Sequence, residues 1–183
     1  MKISSSQLIS ELKSITQSNI QYIETILQKT DQEELNQRTS ENSWSALECI
    51  EHLNLYDCFY IPEISKRIHA SKTSPKATFS PGILGNYFAK SMLPKEKSNA
   101  MKTFKAMNPI HSRLDKNVIK KFIEGQQQLL NLLDKAKDID LEKTKTSISI
   151  SKLIKLKLGD TLRFVIYHQV RHIEQVKKVL RNV

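Results

Sequence analysis

The chain has 183 residues, 39% of them hydrophobic, with a mean hydropathy of −0.43, which suits one folded domain over residues 1–183 and excludes a disordered chain. No stretch approaches the roughly 18 apolar residues of a membrane-spanning helix, and Met1 to Ser6 lack the apolar run of a secretory signal, so a cytoplasmic protein is expected. The net charge of +10 is uneven: residues 1–70 carry 6 Lys and Arg against 10 Asp and Glu, whereas residues 71–183 carry 23 against 9.

Taken in chain order, the first helix is predicted over residues 4–29, where Leu8, Leu12, Ile15, Ile23, Ile26 and Leu27 recur at helical spacing. A polar connection follows to about Ser43. Ser45-Ala46-Leu47-Glu48 has the form of a capping box, and Trp44 before it is placed to staple the start of a second helix. That helix is predicted to reach His69, with a kink at Pro62. Cys49 and Cys58 stand about 13 Å apart along its axis, too far to bridge, and read as reduced packing residues. Residues 71–112 hold four of the five prolines, yet they also carry Phe79, Ile83, Leu84, Tyr87, Phe88 and Met92. They are predicted to form a long crossover containing one or two short helices, because a bare loop of this length is rare in a compact domain.

The third helix is predicted over 113–137, with Val118, Phe122, Leu129, Leu130 and Leu133 inward. Alternation from Thr146 to Ser151 predicts an extended stretch, followed by a short turn at Leu153 to Leu156. The fourth helix starts behind Gly159, with Asp160 as its N-cap, and runs to about Arg181. The fold class is therefore all-α, a four-helix bundle with a long crossover between the second and third helices.

At about 100° per residue, Leu162, Val165, Val176 and Val179 share one face of the fourth helix, and His168 and His172 fall within it. Arg163, Tyr167, Arg171, Glu174, Lys177 and Lys178 are assigned to the wet side. On the second helix, Glu51, Asn54 and Asp57 mark the polar side, and His52 lies nearly opposite, among Cys49, Leu55, Tyr56 and Phe59. Three inward imidazoles are good ligands for zinc, nickel or ferrous iron, and three protein nitrogens with open positions characterise catalytic sites. A single inward histidine is more often a hydrogen-bonded core residue. His69 and His111 flank the crossover and are expected in solvent.

These residues resemble the DinB/YfiT-like superfamily of metalloenzymes, in particular its DinB-like branch. The resemblance rests on Trp44-Ser45 opening a helix with Glu51-His52-Leu53. It rests equally on Gly159-Asp160-Thr161-Leu162 leading into Tyr167-His168-Gln169-Val170-Arg171-His172-Ile173-Glu174-Gln175. The resemblance implies a four-helix bundle in which His52, His168 and His172 share one divalent metal. It also implies activity among thiol-dependent S-transferases and isomerases or metal-dependent hydrolases, without selecting between them.

A metal could lower the pKa of a water or thiol and polarise a carbonyl. The expected partner is a small-molecule substrate, a low-molecular-weight thiol among the candidates. Tyr56 is a candidate for orienting a ligand, and Glu48 or Gln169 for accepting an imidazole N–H; packing, capping or another buried polar contact are the plainer roles. The cleft is expected to open toward the crossover, with Lys90, Lys95, Lys97, Lys102 and Lys105 at its mouth. The rival readings are a non-enzymatic basic bundle that binds nucleic acid and a bundle whose main property is homodimerisation. No helix-turn-helix or zinc-finger spacing is present, so neither a specific nucleic acid nor a membrane is an expected partner.

Overall fold

In the computed structural model, which describes residues 2–94 and 103–183, the chain is mostly helical. Helix α1 (Ser5–Tyr22) starts behind Ser4, whose hydroxyl accepts the Gln7 amide. It continues into a π-helical turn, Ile23–Leu27. That wider turn takes in an extra residue. Ile26, expected inward, is thereby turned out to 43% exposure while Ile23 and Leu27 stay buried. The polar connection holds a short helix, α2 (Gln32–Asn36), pinned by buried Leu35.

Helix α3 (Ala46–Ala70) opens on the expected capping box: Ser45 Oγ accepts from the Glu48 amide at 3.2 Å, and Glu48 Oε2 accepts from the Ser45 amide at 2.8 Å. The helix runs on through Pro62 to Ala70. In the crossover, β2 (Thr78–Phe79) pairs antiparallel with β1 (Ile3–Ser4), and α4 (Ile83–Met92) follows. A 3₁₀ turn, Lys105–Met107, precedes α5 (Asn117–Ala136).

The stretch before the last helix differs from expectation. β3 (Lys145–Ile148) pairs with β4 (Ser151–Lys157) as a hairpin, so Leu153 to Leu156 form strand and not a turn. The strand runs directly into α6 (Leu158–Leu180), so Lys157 occupies the N-cap position and Asp160 lies inside the first turn. Asp160 serves α4 instead, accepting from the Gly82 amide at 2.7 Å, and its other oxygen pairs with Arg163 at 3.3 Å. The all-helical expectation is thus modified by two small two-stranded sheets.

The long helices pack in a closed cycle, α1 against α5 and α6, and α3 against α5 and α6. α4 lies along α6, where Gly85 permits close approach: a Cβ there would stand 2.5 Å from the Asp160 side chain. This contact buries Arg163 and Tyr167, which periodicity assigned to solvent, and Arg163 donates to Asn86 at 3.1 Å. Asn54 and Asp57 are buried for the same kind of reason, since α5 covers the polar side of α3. Both cysteines are free; Cys49 is buried, which pushes its thiol up, whereas Cys58 is exposed and does not pack as expected. Among the described residues, no helix is long and apolar enough to cross a membrane.

The core divides into two clusters. One gathers Leu8, Leu12, Ile64, Leu133, Leu162 and Ile166; the other gathers Ile23, Leu27, Ile50, Phe122, Ile173 and Val176. Along α6 the first ends at Tyr167 and the second begins at Ile173. The two histidines of α6 occupy the gap.

Candidate metal centre

His168 and His172 are one helical turn apart on α6, and antiparallel α3 brings His52 against them. The three rings lie 4.6 to 5.1 Å apart between centroids, and one ligand nitrogen from each falls within 4.8 Å of the others. All three are buried. Burial disfavours the imidazolium form, lowering His52 to about 4 and His172 to about 3. His168 is lowered well below the usual histidine range by the same burial, and its two neighbours add to the effect.

The outer nitrogens fix the tautomers. A carbonyl can only accept, so His52 Nδ1–H donates to the Met107 carbonyl at 2.6 Å. His172 Nδ1–H donates to Gln175 Oε1 at 3.0 Å. The Nε2 atoms of both neutral rings therefore carry lone pairs, and that of His52 accepts from His168 Nε2–H. His52 Nε2 stands 3.2 Å from His168 Nε2. Two nitrogens about 2.0–2.1 Å from one tetrahedral zinc would lie about 3.3 Å apart, so the spacing suits shared coordination. Imidazole nitrogens with oriented outer N–H groups are what a borderline divalent ion takes, and this donor set fits one.

The partners differ from those proposed for the second layer. Burial pushes the Glu48 carboxyl up, but Arg38 at 2.6 Å and the Ser45 and Ser112 amides hold it below the usual carboxylate range overall. It is spent on the cap, on Arg38 and on the Ser112 amide of the crossover, not on His52. Gln169 donates to Asp57 at 3.3 Å and takes the plainer role of a buried polar contact. His69 and His111 are exposed and lie outside the cluster, as expected.

The histidines form part of the wall of a cleft of about 690 Å³. Residues of the crossover, among them Met92, Pro94, Thr103 and Asn108, border it. Lys90 and Lys105 are not among its lining; Lys95, Lys97 and Lys102 lie outside the described residues. Among the described residues, the cations that line it are Arg171 and Lys178 of α6, which the helical period places on the wet side.

Two aromatic features were not assigned to the site from sequence. Trp44 stands 4.6 Å from His52 and 5.6 Å from His172, and its Nε1–H donates to Asn108 at 3.0 Å. Phe164 stacks on His168 at 5.9 Å. A signal for the second was present: Tyr56 and Tyr60 follow His52, and Phe164 precedes His168, all at four-residue steps that place them on the same helix faces.

A mostly helical chain with three converging buried histidines at an open cleft defines a class of metal-fitting helical proteins. The sequence pattern of the DinB superfamily matches residues 15–176, and the chain belongs to that superfamily. No curated protein and no solved structure matches the chain.

Proposed function

We propose that this chain is a one-domain four-helix bundle that uses His52, His168 and His172 to hold a divalent metal, and that it transfers a low-molecular-weight thiol to an electrophile. The observation that carries the reading is the presence of three neutral, buried imidazoles on one open cleft, two of them with lone pairs oriented by hydrogen bonds behind the ring. A bound metal would supply Lewis acidity and favour the thiolate, the nucleophilic form.

The chain's own residues supply the rest. Met107 and Gln175 hold two of the rings in orientation. Trp44 and Tyr56 flank the cluster and limit water around it. Arg171 and Lys178 on the cleft wall favour an anionic thiol. Burial raises the Tyr56 hydroxyl, so it stays protonated and can donate to a departing group. In the reaction the sulfur bonds to the electrophilic carbon, the leaving group departs with the bonding pair and the Tyr56 proton, and the thiol proton passes to solvent, which reprotonates Tyr56.

The test uses protein purified without a nickel column. Elemental analysis is expected to find about one divalent metal per chain. Turnover of monobromobimane with glutathione, cysteine or coenzyme A should then be lost on chelation and restored on reloading. Equal rates in loaded and stripped protein would remove the metal from the reaction.

A further inference from the structure

The histidines divide the cleft into two unlike arms. Antiparallel α3 and α6 run along it: Trp44 meets His172 at 5.6 Å near one end, and Tyr60 meets Phe164 at 5.6 Å toward the other. Beyond Trp44 the lining is mainly polar, with Asn42, Glu174, Gln175 and Lys178 beside apolar Ile110. Beyond His168 it is mainly apolar, with Tyr56, Tyr60 and Phe164, Met92 from α4 and Ile148 and Leu156 from the hairpin; Ser149, 3.4 Å from the Tyr60 hydroxyl, is polar.

Residues of this composition normally fill one another's space in a close-packed interior. Here they line open volume. The rings also present ordered faces, with Tyr56 and Tyr60 stacked at 6.2 Å and 12°, and Phe164 and His168 at 5.9 Å and 8°. Offset stacking at such separations is the geometry that aromatic guests adopt.

We propose that the arm beyond His168 is a binding subsite for an uncharged planar aromatic group, delivered beside the histidine cluster. As the aromatic part of the electrophile, that group deepens the thiol-transfer reading and rests on it; the binding itself requires neither metal nor turnover. Ile150 at the rim, 54% exposed, and Phe164 on the wall are its specificity-determining side chains.

The probe is N-phenyl-1-naphthylamine, an uncharged aryl fluorophore that the net charge of +10 does not attract. Trp44 is the chain's only tryptophan, so energy transfer from it reports binding of the probe to the chain, and the substitutions locate it in the cleft. Saturable binding of one probe per chain is expected, weakened at least tenfold in Phe164→Ala and in Ile150→Asp. Ile83→Ala, on the exposed face of α4, should leave it unchanged. Ile150→Asp alters a half-exposed side chain, so it remains informative if Phe164→Ala fails to fold. Absence of saturable binding, or wild-type affinity in folded Ile150→Asp, overturns the subsite. Probe binding as expected without any thiol transfer keeps the subsite and removes the reaction. Thiol transfer whose preference for aryl over methyl electrophiles survives Phe164→Ala and Ile150→Asp removes the subsite and keeps the reaction.

Discussion

Histidine side chains held neutral by burial carry both the site and a liability in acid. His168→Ala is expected to abolish or sharply weaken metal binding in elemental analysis, whereas His69→Ala and His111→Ala leave it intact; the reverse pattern would reject the assignment. Because burial lowers His52 to about 4 and His172 to about 3 from an ordinary 6.5, the unfolded chain binds protons in that window that the folded chain refuses. Stability of the metal-free protein therefore falls as pH drops below the ordinary value, and this contribution is flat above it. Asp57 has the opposite sign. Burial pushes it up to about 7, against the Gln169 bond and Lys121, so the folded chain keeps a proton the unfolded chain releases as pH rises from 3.8 toward 7. Asp57→Asn should raise the urea midpoint, more at pH 8 than at pH 5. An asparagine amide can also donate to Gln126 Oε1 or Gln169 Oε1, which have no hydrogen-bond partner among the described residues. An equal gain at both pH values would show that the carboxyl is ionised in the fold. The three histidines were legible because a helical period sorts inward from outward positions. Trp44 was read as a staple because its contact with His172 crosses 128 positions of sequence, which no local pattern encodes.

At the scale of elements, the α4–α6 contact is the one most exposed to a single substitution. Gly85→Leu forces side-chain volume against Asp160, where even a Cβ meets atoms at 2.5 Å. Overpacking of this kind costs about 1–3 kcal/mol. Chemical denaturation should register that loss, and the exposure of Tyr167, now 8%, should rise as α4 shifts away from α6. An unchanged midpoint would mean that the two helices do not pack this closely. The four long helices were visible in sequence because each carries an apolar stripe through several turns. The hairpin was half visible: Thr146 to Ser151 alternate, but Leu153, Ile154 and Leu156 break the period, as Leu153 stands 94% exposed and Leu156 is buried. Asp160 is not the cap because the first amides of α6, those of Leu158 and Gly159, donate to the Thr144 and Leu141 carbonyls, and its carboxylate accepts from Gly82 instead.

Across the whole molecule, helices from the acidic and basic halves of the sequence pack against one another. The two long helices of the acidic half, α1 and α3, each pack against both α5 and α6 of the basic half. Ion pairs join the halves: Lys13 to Asp134 at 2.6 Å, Arg113 to Glu33 at 3.0 Å and Lys121 to Glu51 at 3.9 Å. Such exposed pairs contribute little stability individually, but they disperse the field. Fluorescence anisotropy with duplex DNA should therefore detect weak, sequence-indifferent association that fades as salt rises through about 50–200 mM. A nanomolar, sequence-selective complex at physiological salt would overturn this expectation.

The hydrogen bond from His52 to the Met107 carbonyl ties a candidate ligand on α3 directly to the crossover, 55 positions away. Any cation that draws electron density from His52 Nε2 makes the opposite N–H a stronger donor, and so favours the docked crossover. Thermodynamic reciprocity then requires docking of the crossover to raise affinity for the cation by the same factor. With a cation on His52, the crossover is expected to be held more firmly at Met107. Trypsin cleavage within residues 71–112 should slow when zinc is added to stripped protein. The slowing should vanish in His52→Ala, where the lever joining the two is gone.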